Sequence, residues 1–352
     1  MATVKWLTGR FPLIGLAPMD GITDEPFRLT QVHVAQPDLM FTEFVSAEGL
    51  ARGAVKFFDC LLYSPQERPI VAQLFGKDPD CFYQAALILC FLGFDGIDIN
   101  LGCPAKTVVK HGGGAALITQ PQLTGEIIKA SRSAVTDFAS QSVSLPDLKL
   151  NQKTLNIINR NRLYSHCQLP IVNYRLPTLS VKTRLGIDKS LINTWIPRLL
   201  SYHLDFITIH GRTVHQGYAG LADWKEISKA VDISKDSSTL ILGNGDIKSL
   251  EQGIAACQKY GTAGVLIGRA ALGNPWVFSH HHPGLQDRFA TMLYHFSAFQ
   301  NLFPSRSTDS VRRHLLAYVS GLPHAKQLRS QLVKVNKLSD LLNLENAIIS
   351  PC

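Results

Sequence analysis

Asp98-Ile-Asn-Leu-Gly-Cys-Pro-Ala-Lys106 closes a short apolar run with Asn100 and carries Cys103 three residues on. A thiol of ordinary pKa, about 8.5, is mostly protonated at neutral pH, so Cys103 suits a general acid in a closed site. Cations that lowered its pKa would make it a nucleophile, and a packed, inert cysteine is the third reading. His111-Gly-Gly-Gly-Ala-Ala follows. Such a run lets backbone approach a ligand or form a moving lid, or simply makes turns. Lys182 and Arg184 stand two residues apart in an apolar run, so on a strand they share a face and require an anionic or carbonyl-rich partner, or an internal ion pair. Gly243-Asn-Gly-Asp246 and Gly268-Arg269 combine small residues with an arginine. Backbone amides and one guanidinium suit a phosphate monoester, and ligand-free tight turns are the competing reading.

Those residues require elements to hold them. Short apolar runs recur at Leu13 to Met19, Met40 to Phe44, Ile70 to Phe75, Gly96 to Asn100, Leu179 to Arg184, Asp205 to His210, Thr239 to Asn244 and Ala263 to Gly268. Helix-length amphipathic segments separate them. Strands alternating with helices make a parallel sheet, and eight of them close a (β/α)₈ barrel of the TIM type. With a period of two, Gln73, Asp98 with Asn100, Lys182 with Arg184, and Thr208 with His210 share one face, while Ile97, Ile99, Val181, Ile207 and Ile209 take the other. Charges do not face an apolar helix ring, so the polar set points into the barrel near its C-terminal mouth, where barrel chemistry is located. The order of segments then puts the Gly243 and Gly268 loops after strands seven and eight, where such barrels hold phosphate.

Phe138 to Arg175 reads as an irregular surface insertion before the fifth strand, and its place in the chain puts it on the barrel face opposite the mouth. After Pro275 the strand rhythm stops. Residues 1–282 are therefore the expected barrel and 283–352 a small all-helical region, with Leu315, Leu316, Val319 and Leu322 at helical spacing. Between Arg306 and Lys337 stand Arg306, Arg312, Arg313, Lys326, Arg329, Lys334 and Lys337 against the single acid Asp309, which accounts for +6 of a net +8. A solvated helix face is the ordinary meaning, but so lopsided a run favours a polyanion such as nucleic acid. Seven cysteines without a C-x-x-C pair argue against a disulfide framework or a metal knuckle, so no metal is expected, and they fit a reducing cytoplasm. Met1 to Pro12 shows no signal peptide or anchor, and no run reaches the roughly 20 apolar residues of a membrane span.

Together these segments resemble the transfer-RNA dihydrouridine synthase family. The resemblance rests on Leu16-Ala-Pro-Met-Asp-Gly-Ile-Thr-Asp24, Val71-Ala-Gln-Leu-Phe-Gly76, Asn100-Leu-Gly-Cys-Pro104, Val181-Lys-Thr-Arg-Leu-Gly186, His210-Gly-Arg-Thr213 with Gln216-Gly-Tyr218, Asn244-Gly-Asp246 and Ile267-Gly-Arg-Ala-Ala-Leu-Gly273, in that order. Val311-Arg-Arg-His-Leu-Leu-Ala-Tyr318 and Gly321-Leu-Pro-His-Ala-Lys326 are similar to the helical RNA-binding domain of bacterial B-type members. Asp20, the insertion and Ala105-Lys-Thr107 depart from the family pattern.

The resemblance implies FMN as cofactor and NADPH as reductant, with no separate nicotinamide motif, so that both substrates use one mouth in turn. It assigns Pro18, Met19 and Asp20 to the flavin ring, Gln73 and Lys182 to its polar edge, and His210, Asn244, Gly245, Asp246, Gly268 and Arg269 to the ribityl chain and phosphate. The implied reaction reduces the C5–C6 double bond of a D-loop uridine, hydride arriving at C6 and Cys103 protonating C5. Asn100, Arg184 and Tyr218 would recognise the extruded uracil. A monomeric cytoplasmic enzyme acting on transfer RNA is thus expected. The rivals are a barrel reductase of a free pyrimidine or enone and a non-catalytic RNA-binding relative; the basic C-terminal run disfavours the first, and intact Cys103, Lys182 and His210 disfavour the second.

Overall fold

The computed structural model describes residues 11–166 and 176–349. Each expected strand is present: β1 (Leu13–Leu16), β2 (Met40–Ser46), β3 (Ile70–Phe75), β4 (Gly96–Leu101), β5 (Thr178–Arg184), β6 (Phe206–His210), β7 (Leu240–Asn244) and β8 (Gly264–Ile267). All pair in parallel in the order β1-β8-β7-β6-β5-β4-β3-β2. A bridge from Gly15 to Leu39, with Leu16 N–H donating to Leu39 O at 2.8 Å, joins the two ends. The sheet therefore closes into the (β/α)₈ barrel.

Inward-facing residues change character along the barrel axis. Phe41, Val71, Phe206, Leu242 and Leu266 form one buried apolar cluster that plugs the lumen, with Phe41 and Phe206 edge to face at 6.4 Å. Two residues further along the strands come Gln73, Asp98 and Thr208, and beyond Asp98 and Thr208 lie Asn100 and His210. The alternation that fills the floor with carbon thus delivers polar groups to the mouth.

Outside the sheet lie α1 (Glu25–Val34), the short α2 (Ala47–Ala51), α3 (Pro79–Leu92), the one-turn α4 (Lys106–Lys110), α5 (Pro121–Ala139), α6 (Gln152–Tyr164), α7 (Ile192–Leu200), α8 (Trp224–Ile233) and α9 (Leu250–Tyr260). Asp78 caps α3 by accepting from the N–H groups of Asp80 and Cys81, and Gly93 ends it at φ +78°. A buried ion pair, Arg28 Nε to Glu67 at 2.5 Å, ties α1 to the segment before β3.

The insertion is neither irregular nor opposite the mouth; residues 167–175 of it lie outside the described residues. It contains α6, which runs along the barrel flank. Thr154 Oγ1 donates to Gly53 O at 2.9 Å, just past α2 on the mouth side of β2, and Asn161 Nδ2 donates to Phe58 O at 2.9 Å. The β2–β3 connection builds only a short helix and 3₁₀ turns. That leaves flank for α6 to cover. Its buried face is Thr154, Ile158, Asn161 and Ser165, at helical spacing but with one apolar member. A pattern search keyed to carbon passes over such a face.

Four helices complete the chain: α10 (Leu285–Leu302), α11 (Asp309–Tyr318), α12 (Ala325–Leu332) and α13 (Leu338–Ile349). Phe289, Phe296, Leu315, Tyr318, Leu332 and Leu341 form their own core. They dock on α1, where His33 stacks on Tyr294 at 3.9 Å, and on the loop after β1, where Arg313 Nη1 donates to Gly21 O at 2.8 Å. Arg306 meets Asp59 at 2.6 Å, and Asp59 also pairs with Arg160 of α6. Arg312 bonds Val335 O, Asp309 and Thr308 and so staples these helices internally. Three of the seven basic residues expected to face a polyanion therefore serve the protein's own packing. Lys326, Arg329, Lys334 and Lys337 are exposed.

Candidate active site

The barrel mouth opens into a cavity of about 1420 Å³. Every residue assigned to the flavin, the uracil or the proton transfer lines it: Pro18, Met19, Asp20, Gln73, Asn100, Cys103, Lys182, Arg184, His210, Tyr218, Asn244, Gly245, Asp246, Gly268 and Arg269. Strand register explains the convergence. Asn100 pairs with Lys182, and two residues further along Arg184 pairs with His210 and His210 with Asn244, so two successive rungs of the barrel present these side chains at the mouth.

Below those rungs a buried relay fixes Asn100. Ser180 Oγ and Gln73 Nε2 donate to Asp98 at 2.6 and 2.7 Å, and Gln73 Oε1 accepts from Asn100 Nδ2 at 2.9 Å. Burial pushes the Asp98 carboxyl up to about 6 against the pull of those hydrogen bonds and of Lys182. Asn100 Oδ1 then accepts from the backbone N–H groups of Gly102 and Cys103 at 3.0 and 2.9 Å. Both ends of Asn100 engage the protein, and its visible effect is to fold the Cys103 loop.

Two further contacts hold that loop. Arg184 Nε donates to Gly102 O at 2.8 Å, while its Nη1 donates to Thr213 O and Gly217 O, clamping the loops after β4 and β6 together. On the other side Ala115 N–H donates to Cys103 O at 3.1 Å. Gly114 has φ +59°, and a Cβ there would stand 2.9 Å from Cys103 O. The glycine run therefore achieves close backbone approach to the cysteine. Burial raises the Cys103 thiol above its ordinary value, outweighing the help that Arg184 and Lys182 give its thiolate. Of the three readings open for Cys103, this environment disfavours the thiolate nucleophile.

Cations line the same mouth: Lys182, Arg184, Arg212 and Arg269. Burial, and then these cations, hold His210 down to about 2. It is a neutral imidazole whose Nε2 faces Arg212 Nη1 at 3.3 Å. An arginine only donates, which makes Nε2 the acceptor and assigns the ring proton to Nδ1. Lys182 is pulled down to about 8 by burial and by Arg184, and among the described residues its ammonium has no hydrogen-bond partner.

Arg212 is the residue the sequence reading passed over as a site member. It is buried, donates to Ala219 O and Gly220 O, and grips Asp246 through both carboxylate oxygens at 2.7 and 2.8 Å. Its signal was the strand parity of Thr208 and His210 carried one step past the strand end. Asp246 also meets Arg269 at 3.3 Å, and although burial works upward, Arg212 keeps its carboxyl below the ordinary value. The Asp246 carboxylate is thus committed to arginines, and backbone amides are what this loop offers a ligand. Tyr218 is 63% exposed, with Arg269 4.8 Å and Arg184 5.9 Å from its ring centre.

The closed parallel barrel, with polar and cationic side chains gathered at the C-terminal ends of its strands, defines a (β/α)₈ protein with its site in the barrel mouth. The family model described as Dihydrouridine synthase matches residues 15–162 and 172–350, and the chain belongs to that family. A probable tRNA-dihydrouridine synthase of Staphylococcus epidermidis is 30% identical over 349 residues, covering 96% of this chain and 94% of the relative. Probable tRNA-dihydrouridine synthase 1 of Synechocystis is 29% identical over 348 residues, covering 95% and 85%. Among solved structures, an old yellow enzyme homologue from Zymomonas mobilis aligns with TM-score 0.44 at 14% identity over 76% of this chain and 88% of that one. Morphinone reductase in complex with tetrahydroNAD aligns with TM-score 0.43 at 10% identity over 81% and 92%.

Proposed function

We propose that this chain reduces the C5–C6 double bond of a uridine in transfer RNA, using FMN as cofactor and NADPH as reductant. The observation that carries the reading is the protonated Cys103 thiol held at the cavity wall by Asn100 and Arg184, in a mouth that cations also line. The residues fit the cofactor. Lys182 brings an unpartnered ammonium to the cavity, the Gly245 and Gly268 loops bring backbone amides, and Arg269, 60% exposed at its side chain, has donors to spare for a phosphate. A bound flavin supplies a hydride to C6 of the uracil. Cys103 supplies the proton at C5, and the neutral His210 adds no positive charge to the cationic wall.

Residues 1–282 act as the catalytic barrel in this reading, and 283–352 as the RNA-gripping helical part. In this reading the nicotinamide and the transfer RNA use the same mouth in turn. Among the described residues no helix is long and apolar enough to cross a membrane. A monomer working in the cytoplasm completes the proposal. Its test is product analysis. Purified protein with NADPH and unmodified transfer RNA should convert uridine to dihydrouridine, read by nucleoside mass spectrometry. Reduction of free uracil or of an enone, with transfer RNA untouched, would overturn it.

Two smaller effects follow. Arg269→Ala should weaken FMN binding by roughly ten- to a hundredfold, the loss of one charge-assisted hydrogen bond at about 1.5–3 kcal/mol. Flavin titration checks it, and an unchanged dissociation constant would place the arginine elsewhere. The second concerns pH. Because the folded-state pKa of Lys182 lies lowered at about 8, its charge is complete below about pH 7 and is lost as pH rises through 8. FMN affinity should hold level at the low end and fall by up to tenfold per unit above 8. Lys182→Gln should bind more weakly at neutral pH and remove the slope.

A further inference from the structure

Asp24, His295 and His314 meet where the barrel and the C-terminal helices touch. Asp24 precedes α1 and accepts from Phe27 N–H at 3.1 Å; His295 lies on α10 and His314 on α11. Both histidines are 1% exposed. Their rings are 4.9 Å apart, and Phe27 packs against them at 6.1 and 5.2 Å. One ligand atom from each of the three residues lies within 4.8 Å of the other two.

Two of the ring nitrogens, His295 Nε2 and His314 Nδ1, are buried and have no hydrogen-bond partner. A buried polar atom left alone costs about 1–3 kcal/mol, and folded proteins seldom leave such atoms unmatched. Two of them beside a carboxylate point to a missing third party. The other nitrogen of His295, Nδ1, lies 3.1 Å from Tyr318 Oη. With that N–H given to the phenol oxygen, Nε2 turns a bare lone pair toward the cluster. This is how metal-binding histidines are oriented by an outer partner.

We infer that Asp24, His295 and His314 bind one first-row divalent transition metal, zinc by their donor set, which fastens the C-terminal helices to the loop after β1. Two imidazoles and one carboxylate are a three-ligand zinc set with the fourth position left to water; calcium and magnesium require more oxygen. The absence of a C-x-x-C pair, which argued against a metal, bears only on cysteine knuckles.

The surrounding charges permit a cation. Arg28 and Arg306 lie near Asp24 but are paired with Glu67 and Asp59, while Arg313, bonded to the neutral Gly21 O, keeps its charge and shares it with Asp20. Asp24 and Glu43 repel one another, and Asp20 adds a further negative charge beside Glu43.

The experiment uses the full-length, tag-free protein from zinc-replete medium. Elemental analysis should find about one zinc per chain, and cobalt exchanged into the site should give the visible bands of a tetrahedral ion. His295→Gln and His314→Gln should each lower metal content at least tenfold, while FMN content holds near one per chain. Wild-type protein without stoichiometric metal and without a cobalt spectrum would overturn the inference, as would variants that retain the metal. Should both variants fail to fold, a strong chelator decides it: the wild-type melting temperature drops if the site is real and stays put if it is not.

Discussion

Cys103→Ala should keep its FMN and its reduction by NADPH yet lose uridine reduction by roughly 10²- to 10⁴-fold, the ordinary contribution of a positioned general acid. The loop itself should survive. Its shape depends on backbone groups of Gly102 and Cys103 held by Asn100, Arg184 and Ala115, and the alanine leaves all of them in place. What disappears is the single proton that Sγ holds against the pull of two cations. Cys103→Ser should recover little, because a hydroxyl is a far poorer acid at neutral pH. The measurement is single-turnover oxidation of reduced enzyme by transfer RNA, beside flavin content and NADPH consumption with an artificial acceptor. Equal turnover by mutant and wild type would remove Cys103 from the reaction and leave it as packing.

That expectation differs from what the sequence alone supports, and the difference shows where sequence reading stops. Parity along a strand is set by the pleat, so Gln73, Asp98, Asn100, Lys182 and His210 could be sent into the barrel without coordinates. Parity does not say what each side chain meets there. Asn100 was expected to recognise uracil, yet both of its polar atoms are bonded to the protein. Arg184 likewise joins two loops. Uracil recognition by Asn100 would have to use a remaining lone pair, and by Arg184 the rest of its guanidinium; Tyr218 is the freest of the three. The Asp246 carboxylate meets arginine for the same reason: a loop's backbone and its side chain face different ways, and a motif does not separate them. The insertion helix escaped because Ile158 is the one apolar residue on a buried face shared with Thr154, Asn161 and Ser165, and no hydropathy pattern records the hydrogen bonds of Thr154 and Asn161 to a neighbouring loop.

The same distinction redraws the RNA-binding experiment. Charge counted along the sequence gives Arg306, Arg312, Arg313, Lys326, Arg329, Lys334 and Lys337 equal weight, but Arg312 is a staple inside the helical region, and Arg306 and Arg313 fasten that region to the barrel. Replacing these would damage folding or docking, and the resulting loss of RNA binding would say nothing about phosphates. Lys326 and Arg329 on α12, with Lys334 just beyond it, are exposed and close together in the chain. Each phosphate contact releases about 0.9 of a counterion. The triple alanine variant should therefore weaken transfer-RNA binding by roughly a hundredfold or more in low salt, and lower the slope of log affinity against log salt by close to three. Its melting temperature, flavin content and NADPH oxidation with an artificial acceptor should match wild type, because none of the three side chains touches the cavity. Binding curves that superimpose at every salt concentration would show that these helices do not grip RNA, and the barrel mouth would then have to hold the whole substrate.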